Sequence, residues 1–261
     1  MRTRLLVVPT VVTLLLTAGV DAGEYAGRGG WGAKDSVFRV RCRVVTTTGP
    51  QEVDLGTAFG HKSGKVLSAS HVVTPCLDAN GRLQLVASDA SVSPAAILAR
   101  DSVLDLVLLE ANVDFVKNAL PIASKDTMTM GAQVSTWGFP SGYSGDVALL
   151  TVGHLAGVVV DPSHPLIRRW VVNAAINKGN SGGPLVETET PAVIGVVIQK
   201  LSPLTPEVDS QLKDLAKTGG TEAKVLARAM TDIAERAQLV IGHSVLTADL
   251  WSFLRNAGVD P

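Results

Sequence analysis

Residues 176–186 read "INKGNSGGPLV". One serine, Ser181, stands among Gly179, Gly182 and Gly183, with Pro184 directly after them. Glycine gives up the most backbone freedom on folding, so this concentration around one hydroxyl points to a backbone held in an unusual shape. If the turn is sharp, the amides of Gly179 and Ser181 converge on one point, and the glycines leave room for a bound group. In isolation the stretch equally fits a glycine-rich hairpin turn with an incidental serine. The rest of the chain has to decide.

A serine hydroxyl is a weak nucleophile at neutral pH. It needs a base, a group that orients the base, and donors for the oxyanion. "GKVLSASHVV" (64–73) ends a β-prone run with His71, after small residues, and "LDLVLLE" (104–110) sets Asp105 at the head of an apolar strand. Taken singly, such a histidine is usually structural and such an aspartate usually a turn or cap residue. In the order His71, Asp105, Ser181 they match one solution to the nucleophile problem: the aspartate fixes the imidazole tautomer, and the histidine serves as base and then acid. Asp101 is a rival for the aspartate's place, without an apolar run directly after it.

From Ser36 to about residue 205 the chain reads as short β-prone runs separated by turn residues. Examples are "VFRVRCRVV" (37–45), "KVLSASHVV" (65–73), "LIRRWVVNAA" (166–175) and "AVIGVVIQ" (192–199). In the first, Val37, Arg39, Arg41 and Arg43 alternate with Phe38, Val40, Cys42 and Val44, which predicts one solvated and one buried face. Many short strands without interleaved helices predict an all-β sandwich or barrel rather than a parallel α/β sheet. After Pro206 the pattern changes. Val208, Leu212 and Leu215 repeat at helical spacing, and Leu226, Met230, Ile233 and Ala237 form a second helical stripe. This predicts a helical hairpin at about 206–238, a return to strand over 239–246, and a short C-terminal helix between Thr247 and Gly258.

"GTAFGHKSGKVLSASHVV" (56–73), "DLVLLE" (105–110) and "NAAINKGNSGGPLV" (173–186) together resemble the three motif blocks of trypsin-like (chymotrypsin-fold) serine peptidases. The resemblance is strongest to the protease domain of the bacterial HtrA/Deg branch, and "IGHSVLTADLWSFL" (241–254) resembles the segment that closes that domain. It covers residues 37–200 and 239–256. It implies two packed six-stranded antiparallel β-barrels, over 36–118 and 119–261, with the hairpin inserted in the second and the triad in the cleft between them. It implies His71 as general base, Asp105 as its orienter, Ser181 as nucleophile, and the Gly179 and Ser181 amides as oxyanion donors. A polypeptide substrate, an acyl-enzyme intermediate and no cofactor go with it.

Some residues depart from the family pattern. No PDZ-sized extension follows the barrels, so a protease domain without a PDZ domain is expected. The hairpin sits where that branch carries a loop near the active site. It either caps the fold by burying its own apolar stripe, or it recruits a partner or gates the cleft. Asn173 replaces the aspartate common in the "DAAIN" block. Asn180 stands where digestive relatives carry an aspartate that pairs with a freed N-terminus, an ion pair a neutral amide cannot form. "NAAINK" (173–178) carries no acid. With Ala175, Ile176 and the strand from Val196 to Ile198, it predicts a neutral, modest S1 pocket and a small aliphatic P1 residue.

Two rival readings stay open at this point. "GNSGG" also satisfies the G-x-S-x-G elbow of an esterase, with Asp232 and His243 following in order. An elbow needs a helix directly after the serine, however, and "GGPLVETETPAVIG" (182–195) reads as turn and strand. The second rival is a catalytically silent trypsin-like scaffold acting as a binding protein, since fold does not dictate function.

At the N-terminus, Arg2 and Arg4, the apolar run "LLVVPTVVTLLLTAGV" (5–20) and the small residues of "VDA" (20–22) have the layout of a secretory signal peptide over 1–22. The alternative is an uncleaved anchor. Residues 23–35 read as a flexible, glycine-rich lead-in. An exported protein is expected, periplasmic or secreted, with no membrane span after signal removal. In an oxidising compartment Cys42 and Cys76 read as one disulfide, the alternative being two buried free thiols. A net charge of −1 gives no bulk attraction to nucleic acid or to an acidic membrane surface. The sequence has no CxxC or HExxH spacing, so no metal site is expected.

Overall fold

The computed structural model describes residues 32–124, 128–161, 164–200, 204–236 and 240–261. The signal segment and most of the lead-in lie outside them. The end of the lead-in, Gly32–Ser36, forms a 3-10 helix with Ala33 and Ser36 buried, so these residues are not a loose leader.

The N-terminal unit is an antiparallel sheet of β1 (Val37–Thr46), β2 (Gly49–Gly60), β3 (Val66–Ala69), β4 (Arg82–Val86), β5 (Val92–Pro94), β6 (Ala96–Asp101) and β7 (Leu106–Glu110). The strand order is β5-β4-β1-β2-β3-β7-β6. The two end strands are consecutive in the chain, with Ala95 alone between them. Ala95 still donates to Leu83 O of β4 at 3.0 Å, and Ala96 already pairs with Glu110 of β7. One bent strand thus passes from one end of the sheet to the other, the usual way a corner is made in orthogonal β packing. In place of the expected closed six-stranded barrel, this unit is an open, half-barrel sheet of seven segments, two of which are halves of one strand.

The C-terminal unit is a closed barrel of β8 (Gln133–Gly138), β9 (Leu149–Asp161), β10 (His164–Asn173), β11 (Pro184–Glu187), β12 (Ala192–Lys200) and β13 (Gly242–Val245), in ring order β10-β13-β12-β11-β8-β9. Leu155, Trp170, Val172, Leu185 and Ile194 fill its interior. A second, larger cluster runs from Phe38, Phe59 and Leu108 of the first sheet to Trp137, Val196 and Phe253 of the C-terminal unit. The seam between the units is therefore part of the hydrophobic core.

That seam corrects the expected alternation of β1. Val40 and Cys42 are buried and Arg43 is exposed as expected, but Val37 and Arg39 are buried as well. The second unit covers the outer face at Arg39. The guanidinium pairs with Asp54 at 2.8 Å, donates to Gly145 O at 2.6 Å and lies 4.7 Å from the Phe139 ring centroid. A guanidinium tolerates burial where its donors are met and an aromatic face is offered.

Helix α1 (Ser70–Asp78) replaces the second half of the strand expected over 65–73. Val72, Val73 and Cys76, at helical spacing, turn into the core. Arg100 fastens the outer side by donating to Ser70 Oγ and Thr74 Oγ1, both at 2.6 Å. Cys76 is bonded to Cys42 of β1, with Cα atoms 5.4 Å apart and a sequence separation of 34. The free-thiol alternative therefore falls. In the chain-entropy description, a loop of this size stabilises the fold by about 4 kcal/mol.

The expected hairpin forms as α2 (Pro206–Thr218) and α3 (Thr221–Arg236). Thr205 caps α2, its Oγ1 accepting the Val208 N–H at 3.4 Å. The expected apolar stripe of α3 is not what the hairpin buries: Leu226 is 59% exposed and Ile233 is 69% exposed. Of the expected stripe residues Leu212 is buried, and Ala227 and Ala234 are buried beside it. A cap that hides the large side chains of α3 is thus corrected. Helix α4 (Thr247–Asn256) buries Leu250, Phe253 and Leu254, and Thr247 Oγ1 donates to Ile194 O at 2.7 Å.

Candidate active site

His71 is the second residue of α1. Its backbone N–H donates to Asp105 Oδ1 at 2.8 Å, and its Nδ1 stands 2.6 Å from Asp105 Oδ2. A carboxylate is acceptor-only, so Nδ1 carries a proton, and in the neutral imidazole the lone pair is then on Nε2. The imidazole side chain is 48% exposed, while that of Asp105 is 21% exposed.

Asp105 takes a left-handed backbone conformation, φ +62°, uncommon for a residue with a side chain. Its carbonyl accepts the Ser70 N–H at 3.1 Å. Asp101, the rival aspartate, has another task. Its Oδ1 accepts the N–H groups of Val103 and Leu104 at 2.9 and 2.8 Å, closing the turn that delivers Asp105.

The turn that carries Ser181 comes from the C-terminal barrel. The backbone is left-handed at Gly179, φ +97°, and at Gly182, φ +85°. A Cβ on Gly182 would fall 2.0 Å from Thr57 O and 2.2 Å from Ser68 Oγ, so this turn packs against the end of β3, just before His71. A Cβ on Gly56 would lie 2.9 Å from both Ser181 O and the Val72 methyl groups. The neighbours of Ser181 and of His71 therefore close on one point. Ser181 Oγ donates to Ile198 O at 3.4 Å.

Hydrogen bonding around this turn is selective. Asn180 N–H donates to Asn177 O, Gly182 N–H to Val197 O and Gly183 N–H to Asn180 O, at 3.0, 2.7 and 3.0 Å. Among the described backbone hydrogen bonds, none is donated by the amides of Gly179 or Ser181.

Three of the residues expected to line S1 divide between the two core clusters. Ile176 belongs to the interior of the C-terminal barrel, Val196 and Ile198 to the seam cluster, and Ala175 is half-buried. Asn173 Oδ1 accepts the His154 N–H at 3.2 Å, joining β10 to β9 beside the register shift at Val171/Val172. Asn180 is buried, and its Oδ1 has no partner among the described residues. A carboxylate there would be a buried, unpaired charge. The esterase alternative fails on local structure, because strand β11 follows Ser181 and Asp232 lies far along the chain on α3, lining the groove beside Leu212. Among the described residues no group of three or more His, Cys, Asp or Glu side chains is placed to hold a metal ion.

Thr57 was not singled out by the sequence. Its Oγ1 donates to Gly179 O at 2.6 Å and accepts the Phe139 N–H at 3.1 Å, while its own N–H donates to Ser181 O at 2.9 Å. It clamps the serine turn from the other unit. It lies inside the "GTAFGHKSG" block, but a threonine in a strand carries no signal of its own.

The sequence profile of the trypsin-like peptidase domain matches residues 56–196, more than half of the chain. A probable periplasmic serine endoprotease, DegP-like, of Buchnera aphidicola (subsp. Baizongia pistaciae) is 25% identical over 150 residues, covering 57% of this chain and 30% of the relative. The serine protease Do-like HtrB of Bacillus subtilis is 29% identical over 157 residues, covering 56% of this chain and 32% of the relative. The matched part thus spans about a third of the length of these relatives. The solved HtrA-type protease AlgW with a decapeptide superposes with a TM-score of 0.66 at 18% identity, over 88% of this chain and 66% of that one, a likeness of fold. With the profile spanning the elements that carry His71, Asp105 and Ser181, the chain belongs to the trypsin-like peptidase domain family.

Proposed function

We propose that the protein is a serine endopeptidase that hydrolyses peptide bonds through Ser181, His71 and Asp105 and an acyl-enzyme intermediate. The observation that carries this is the His71–Asp105 pair at 2.6 Å, with the glycine-forced Ser181 turn packed against the strand that leads to His71. His71 Nε2 takes the Oγ proton as Ser181 attacks the carbonyl, then gives it to the leaving amine. Water, activated by the same nitrogen, releases the acyl group. The Gly179 and Ser181 amides stabilise the tetrahedral oxyanion. The 3.4 Å contact to Ile198 O is at the long end of the hydrogen-bond range, so the hydroxyl gives it up at little cost.

A polypeptide substrate is supported by the decapeptide bound to the HtrA-type relative. A small aliphatic P1 preference rests on the acid-free segment 173–178; a peptide-library profile dominated by Lys or Arg at P1 overturns it. Export to the periplasm or beyond is supported by the Cys42–Cys76 disulfide, which persists in oxidising compartments. Among the described residues no helix is long and apolar enough to cross a membrane.

The test is covalent labelling by a fluorophosphonate. Wild-type protein is expected to label and Ser181→Ala to lose the label completely. Label that persists in Ser181→Ala sinks the assignment, and wild-type protein that never labels identifies a silent scaffold.

A further inference from the structure

Arg169 lies on β10, in the middle of the "LIRRWVV" run, with its side chain only 4% exposed. Its guanidinium crosses the seam. Nη1 donates to Leu104 O at 2.8 Å and Nη2 to Val103 O at 3.1 Å. Nε and Nη2 also reach Asp161 Oδ2, both at 3.3 Å. Val103 and Leu104 directly precede Asp105, and their amides are already held by Asp101 Oδ1. The turn that carries Asp105 thus has both amides met by an aspartate of its own unit and both carbonyls met by an arginine of the other.

The geometry points to Arg169 as a positioning residue of the catalytic apparatus, setting the Asp105 carboxylate against His71 from the opposite barrel; this rests on the serine peptidase reading above. Two features make the turn sensitive to this grip. Asp105 sits at φ +62°, a conformation that persists only where its surroundings impose it. The carboxylate must also meet two donors of one residue, His71 N–H and Nδ1–H, at 2.8 and 2.6 Å. Arg169 belongs to the strand that runs straight into Asn173 and the 176–181 segment. One guanidinium therefore ties the Asp105 turn to the same barrel wall that presents Ser181. Lysine is no equivalent: a single ammonium lacks the planar fork that serves two carbonyls and a carboxylate together.

The test is a double-mutant cycle read by the second-order rate of fluorophosphonate labelling, with melting followed in parallel by circular dichroism. Arg169→Met is expected to slow labelling roughly ten- to hundredfold, the scale of a misplaced catalytic group, with Arg169→Lys in between. In the Asp105→Asn background, Arg169→Met is expected to add no further loss. If it slows labelling by the same factor in both backgrounds, or leaves the wild-type rate unchanged, the proposal is overturned. If Arg169→Met does not fold, the same cycle is run with Arg169→Lys. Failure of the peptidase reading is distinguishable, because the deshielded proton NMR signal of the His71–Asp105 hydrogen bond is present whether or not Ser181 reacts. Loss of that signal in Arg169→Lys supports the assignment; an unchanged signal overturns it.

Discussion

His61 follows β2 and is 1% exposed. Its Nδ1 is hydrogen-bonded with Ser63 Oγ at 2.9 Å, and its Nε2 has no partner among the described residues. Burial, and then the neighbouring Lys62, push its pKa below the ordinary histidine value of 6.5, with Asp260 opposing. Burial and then Arg169 lower His243 in the same direction. The unfolded chain binds these protons more readily than the folded one. Their contribution to stability is therefore whole above 6.5 and lost as pH falls from there toward the folded-state values. The thermal midpoint is expected to drop between about pH 7.5 and pH 5, and His61→Gln to flatten that drop; a mutant profile parallel to wild type contradicts it. The proposed catalytic residues could be picked out because the chemistry restricts residue type, order and surroundings together. Arg39 and Arg169 were not. Alternation assigns a strand's charged side chains to water, and nothing within one strand announces that a second barrel covers its outer face.

Among elements, the hairpin of α2 and α3 was legible in existence but not in orientation. A hydrophobic stripe selects the largest side chains, Leu226, Met230 and Ile233. Two helices packing closely bury small ones instead, here Ala227 and Ala234. Helix α1 was hidden for another reason. Its nine residues are too short to display a helical period, and the β-branched Val72 and Val73 read as strand. The bend at Ala95 was also invisible, because β5 has only three residues and β6 follows after one. The strands flanking the hairpin give a direct prediction. Lys200 of β12 pairs with Gly242 of β13, so the ladder closes beneath the insertion. Replacing residues 201–241 by a short glycine-containing turn is expected to leave a folded protein with a β-dominated circular dichroism spectrum and retained fluorophosphonate labelling. Loss of cooperative melting on excision would show the helices to be part of the core.

At the scale of the molecule, the continuous core across the seam ties the two units thermodynamically. Of the four tryptophans, Trp31 lies outside the described residues and Trp137, Trp170 and Trp251 lie in the C-terminal unit, so emission weights that unit, whereas circular dichroism reports on both. Urea unfolding followed by tryptophan emission and by circular dichroism is expected to give coincident transitions; two separated transitions would mean the seam is weaker than its packing indicates. Fold class and the packing of two units were legible at this scale from strand density and from the motif blocks, while the side chains that make the seam were not, since they leave no periodic trace. The closed ladder at Lys200 and Gly242 has a consequence for how such a protein diversifies. Ile198, whose carbonyl meets Ser181, is two residues from that closure. Because loop-closure cost rises only logarithmically with length, residues beyond it can lengthen, shorten or change chemistry while the barrels keep their register. The insertion can then be exchanged as a cassette, inherited separately from the barrel strands it interrupts.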